Sequence, residues 1–130
     1  MSTDNSQGEA RTVADGKNLT VSGETSSGVL VASVAGGVDG SNAQDFQGAI
    51  ETLLEGGSTA LVMDLENLAY ISSAGLRVIL LISRQMQGRS GKFGLCGLTG
   101  AISEVFALSG FDKIIPIHAA RADALSALGG

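Results

Sequence analysis

The sequence predicts an α/β fold. A mostly parallel sheet of about five strands, opened by an antiparallel hairpin strand, is interleaved with four helices. Three observations carry this. Short apolar runs of strand length alternate with segments of helical period. The alternation begins only after two strand-like runs joined by turn residues. A length of 130 residues, 44% of them hydrophobic, suits one domain with one core. A helix between two strands returns the chain to its starting edge by a right-handed crossover, so the later strands are expected to run parallel.

Residues 1–16 are polar, show neither period, and are expected to form a disordered tail ahead of a domain spanning residues 17–130. Leu19 and Val21 alternate with polar neighbours, and residues 29–35 form a run with three valines. Residues 25–28, Thr-Ser-Ser-Gly, supply the hairpin turn between them. After a glycine-rich stretch at residues 36–40, Ser41 precedes Gln44 at the spacing of a capping box. Apolar residues at Ala43, Phe46, Ile50, Leu53 and Leu54 then mark the first helix, which Gly56 and Gly57 close.

Residues 60–65 (Ala-Leu-Val-Met-Asp-Leu) read as a buried strand. Ser72 and Ser73 lead into a helix over residues 76–86 that is apolar on most faces and therefore largely buried. Residues 93–97 predict another buried strand, residues 101–108 a third helix closed by Gly110, residues 114–117 a short last strand and residues 119–128 a final helix. Pro116 has no N–H to give to a ladder, which places the last strand at a sheet edge.

Composition excludes several function classes. The chain has 8 basic and 13 acidic residues and a net charge of −5, so phosphate backbones and anionic lipid repel it, and neither direct nucleic-acid nor membrane binding is expected. The longest fully apolar run, residues 78–82, is far too short to cross a bilayer. No basic region followed by an apolar one opens the chain, and a single cysteine forms no internal disulfide. A soluble, cytoplasmic protein is expected.

Chemistry-bearing patterns are sparse. Gly94, Gly97 and Gly100 run from a strand into a helix, but at the wrong spacing for a dinucleotide or phosphate-binding loop, and no lysine follows them to hold a terminal phosphate. His118 is the sole histidine, so no paired-His zinc site or triad is available, and Cys96 reads as a small core residue. A phosphorylatable receiver domain is set aside because Asp64 lies within a strand run without paired acids, and Lys113 precedes the last strand. No metal, cofactor or catalytic group is predicted, and the chain is not expected to be an enzyme. Two hydroxyls, Ser72 and Ser73, stand where a loop enters a buried helix. One reading is a helix cap, in which a serine accepts a bond from an N–H two or three residues on. The other is a phosphate acceptor, since free N–H groups and the positive end of the helix dipole favour an anion there.

Three segments resemble the STAS domain of the anti-sigma factor antagonist family. Residues 36–43, Gly-Gly-Val-Asp-Gly-Ser-Asn-Ala, resemble its motif before the first helix. Residues 62–65 followed by 70–76, Tyr-Ile-Ser-Ser-Ala-Gly-Leu, resemble its central signature. Residues 106–114 resemble its later Leu-x-x-Gly-Phe-Asp segment. Order and spacing agree over residues 18–128. The resemblance implies an antagonist that binds an anti-sigma factor, often a GHKL-type serine kinase, and so frees a sigma factor. The kinase phosphorylates the antagonist, which lets go, and a PP2C-type phosphatase restores it. The acceptor stands two positions before the signature glycine, at Ser73, with Ser72 the second choice. Asp39, Ser41, Ser72 and the first turn, Ala74, Gly75, Leu76 and Arg77, are implied to line the docking face. One position departs from the best-known members: Ser72 stands where they carry Asp. The alternative within the family is a non-phosphorylated STAS subunit of a transport or signalling assembly. A monomer is expected when the protein is free.

Overall fold

The computed structural model describes residues 10–129. Its strands are β1 (Arg11–Gly16), β2 (Leu19–Ser26), β3 (Val29–Val38), β4 (Ala60–Asp64), β5 (Leu68–Ile71), β6 (Lys92–Cys96) and β7 (Ile117–His118). Helices α1 (Ala43–Leu54), α2 (Ser73–Gly88), α3 (Gly100–Ser109) and α4 (Arg121–Gly129) follow the expected order. The seven strands form one mixed sheet in the order β1-β2-β3-β4-β6-β7, with β5 paired to β3. β1, β2 and β3 are antiparallel neighbours, and every later pairing is parallel.

Alternation along the central strands sends side chains to two faces. Leu30, Ala32 and Val34 of β3, Leu61 and Met63 of β4, and Phe93 and Leu95 of β6 join the main core, which α1, α2 and α3 cover with Phe46, Ile50, Ile79, Ile82 and Phe106 among others. Val29, Val31, Val62 and Cys96 face the other way, where α4 covers them with Ala124 and Leu128.

The structure corrects the sequence reading in three places. Residues 11–16, expected to belong to a disordered tail, form edge strand β1. They pair with β2 through a two-residue turn in which Lys17 and Asn18 both have positive φ (51° and 62°), the geometry that suits the twist of a tight hairpin. Val13 and Ala14, half-buried against the core, give this strand its apolar side. The rest of the expected tail, residues 1–9, lies outside the described residues. A second strand not foreseen, β5, extends the line of β4. The first part of β3 pairs with β4 (Leu30 to Ser33) and its end pairs with β5 (Gly36 to Val38), so one long strand serves two short ones.

The last strand is shorter than expected. A 3₁₀ turn over Phe111–Lys113 takes up the N–H groups of Ile114 and Ile115, both bonded to the Phe111 carbonyl, and Pro116 has none. Ladder pairing therefore starts only at Ile117, on the outermost strand. Pro116 sits at the sheet edge, and its carbonyl accepts the Leu95 N–H at 2.9 Å.

Candidate functional site

The two loops singled out in the sequence leave neighbouring strands at the same end of the sheet. Val38 of β3 is in register with Ile71 of β5, and the Ser72 N–H donates to the Val38 carbonyl at 2.8 Å. Asp39 and Ser72 therefore emerge side by side. Gly75 makes this possible: a Cβ there would come within 2.7 Å of Ile71 Cγ1 and 2.8 Å of Val38 Cγ1, so only glycine lets the first turn of α2 rest on both strand ends.

Ser72 is the N-cap of α2, extended at φ −94° and ψ 176°, and its carbonyl accepts the Leu76 N–H at 3.0 Å. The capping bond expected of a serine there is absent. The Ser72 hydroxyl oxygen is shielded from solvent and has no partner, and no acidic side chain stands in the first turn. The dipole-positive end of a 16-residue helix thus has no anion from its own first turn. Ser73, the first helical residue, is exposed, as is Arg77 one turn on. Ala74 and Leu76 are half-buried against the core, and Gly75 is buried. Of the residues implied to line the docking face, Ser41, Ser73 and Arg77 are the exposed ones.

Across the gap, the Asp39 carboxylate accepts bonds from the Ser41 hydroxyl at 2.6 Å and the Ser41 N–H at 2.8 Å. The Ser41 hydroxyl, followed by the backbone bond, holds the Asp39 carboxyl below its ordinary value. This contact also overturns the capping box. Ser41 lies before the helix start with its hydroxyl committed to Asp39, and the N-cap of α1 is Asn42. Asn42, 2% exposed, is the residue the sequence reading did not assign to the site. Its Nδ2 donates to the carbonyls of Lys17 (2.8 Å) and Gly37 (2.9 Å), and its Oδ1 accepts the Asp39 N–H (2.9 Å). A polar residue inside an apolar helix start was the available signal, but its partner at Lys17 is visible only in three dimensions.

On the opposite face, the Arg121 guanidinium at the start of α4 bonds Asp64 at 2.9 Å, donates to the Ser33 hydroxyl at 3.1 Å and approaches Glu24 at 3.6 Å. Cys96, beneath α4, is fully buried, and burial foremost pushes its thiol up to about 11, which keeps it protonated and inert at neutral pH. Among the described residues no group of three or more His, Cys, Asp or Glu could hold a metal ion, and no helix is long and apolar enough to cross a membrane.

A model of the STAS domain matches residues 20–124, a span that contains both loops and all the elements from β3 to β7. The chain belongs to the STAS domain family. This STAS chain is 39% identical to BtrV of Bordetella bronchiseptica over 100 residues, 77% of the chain and 86% of BtrV. It is 30% identical over 113 residues to the anti-sigma-F factor antagonist RsfB of Mycobacterium tuberculosis, covering 87% of the chain and 92% of RsfB. Its fold matches the crystal structure of an anti-sigma factor antagonist from Mycobacterium paratuberculosis with a TM-score of 0.79 at 29% identity, over 86% of the chain and 95% of that protein.

Proposed function

We propose that this STAS protein is an anti-sigma factor antagonist that works in the cytoplasm by partner switching, with Ser73 as its switch. The observation that carries the reading is an exposed hydroxyl on the first residue of α2, at a helix whose first turn has no acidic side chain, beside the ordered Asp39 loop. In the unmodified state, Ser73, Arg77 and the Asp39–Ser41 loop form the face that docks on an anti-sigma factor of the GHKL serine-kinase type. The partner supplies ATP and Mg²⁺ and acts as the enzyme. The Ser73 oxygen attacks the γ-phosphorus, ADP departs, and the serine proton passes to a base on the kinase. Water, delivered by a PP2C-type phosphatase, later cleaves the phosphate and restores the serine.

Phosphorylation adds a charge of about −1.5 to −2 at this one point. The α2 dipole accommodates that charge within the protein, and Arg77 at the i+4 position can pair with it. The docking face, in which Arg77 and Asp39 balance beforehand, in contrast becomes net negative. Release therefore needs no unfolding.

The test begins with capture of the anti-sigma factor from native extract by the unmodified protein. Incubation of the pair with Mg²⁺ and ATP, read by mass spectrometry, should put one phosphate on Ser73. Ser73→Ala should stay bound in the presence of ATP, and Ser73→Glu should bind at least tenfold more weakly. A stoichiometric phosphate on neither Ser73 nor Ser72 would rule the switch out.

A further inference from the structure

Toward the far end of α2 from Ser73, about 20 Å along the helix at Met86, a cavity of about 380 Å³ opens at the sheet edge. Its size falls among small-molecule pockets, which run from about 300 to 1,000 Å³. It exists because β7 pairs only with Leu95 and Cys96, so the start of β6 has no strand on its outer flank. Buried Met86, Phe93 and Leu128 line its walls, and Ile114 stands at its rim 56% exposed.

Four polar side chains line the same cavity: Ser83, Gln87, Lys92 and His118. Lys92 is exposed and makes no ion pair among the described residues, an unpaired cation in a chain of net charge −5. His118 has its Nε2 shielded from water and bonded to nothing. A nitrogen that water cannot reach does not face an open cavity, so His118 contributes ring wall and Lys92 is left as the cation beside it.

We propose that this cavity binds a small amphipathic anion, a medium-chain carboxylate by class. The hydrocarbon lies against Met86, Phe93 and Leu128, and the carboxylate is held by Lys92. The proposal does not depend on the phosphorylation of Ser73.

The test is a titration of the isotopically labelled full chain with octanoate below its micellar range, with octan-1-ol as the uncharged control, followed by NMR. Saturable shifts are expected at the methyl groups of Met86, Ile114 and Leu128 and at the His118 ring, with the Ser73 amide unmoved. Octanoate should bind more tightly than octan-1-ol. Lys92→Gln should weaken octanoate about fivefold, the worth of one partly exposed charge pair, and leave octan-1-ol unaffected. Ala127→Phe, at the exposed rim, should exclude both probes; if that variant does not fold, Lys92→Gln decides. Non-saturating shifts, or equal shifts at Leu81 and Leu108, which are exposed outside the cavity, overturn the proposal. So does equal binding of the two probes with no effect of Lys92→Gln, which leaves an apolar seat with no preference for an anion.

Discussion

The Asn42 amide uses three of its four hydrogen-bonding positions to join the β1–β2 turn, the end of β3 and the Asp39 N–H. Asn42→Ala leaves two carbonyls and one N–H without partners in a part-buried setting, and should cost about 2–3 kcal/mol in urea denaturation. Asn42→Asp should remain destabilised, because it keeps the acceptor but loses both donors. Were the aspartate variant as stable as the parent, shape and not donation would explain the residue. Asp39 carries a pH dependence of definite sign. Its folded carboxyl titrates below the ordinary value of 3.8, chiefly through the Ser41 hydroxyl. Its contribution to stability is therefore present above that value and is lost as pH falls through the lower folded one. Comparing acid unfolding of the parent and Asp39→Asn should show the two curves converging below about pH 3.8. The family signature made Asp39, Ser72 and Ser73 legible. It did not show that the Ser41 hydroxyl turns to Asp39 and away from the helix, since a local motif does not say which of two neighbouring acceptors wins.

At the scale of elements, α4 has the weakest sequence signal of amphipathicity, with only Ala124 and Leu128 buried, yet it is held in a definite place. Arg121 fixes it by bonding buried Asp64 of β4 and Ser33 of β3. Arg121→Ala leaves a carboxylate that is 6% exposed without its cation. The expected loss is about 3 kcal/mol, the lower end for a broken buried pair, because the guanidinium is itself partly open to water. Hydrogen exchange should show α4 losing protection before the sheet does, and Asp64→Asn added to Arg121→Ala should recover part of the loss. An additive double mutant would mean that the pair is not coupled. Among the strands, β2 was legible because it alternates, and β3, β4 and β6 because each is a compact apolar run. β1 and β5 were not, because Val13 and Ala14, or Leu68 and Ile71, are too few to stand out from a loop. Their pairing depends on partners elsewhere in the chain.

For the whole molecule, the sheet is the base under the Asp39 and Ser72 loops, which the proposed function makes the docking face. Gly75 brings α2 onto the ends of β3 and β5, and Glu51 of α1 accepts a bond from Gln85 of α2 at 2.9 Å, tying the two helices together. A charge added at Ser73 should therefore leave the scaffold unchanged. Ser73→Glu, besides weakening partner binding, should unfold within about 0.5 kcal/mol of the parent, as surface substitutions usually do. A large loss of stability would move the switch from the surface into the fold.

Sequence alone determined the α/β class, the four helices in their order and the serine pair at the head of α2, because hydrophobic period and a local signature are read within a short window. Tertiary structure alone decided that β1 and β5 exist, that Asn42 holds the Asp39 loop, that Arg121 anchors α4 and that a cavity at the sheet edge is lined by both Lys92 and His118. Each of these rests on contacts between segments distant along the chain. Such contacts depend on which surfaces the packed sheet brings together, and no local pattern of residues records that.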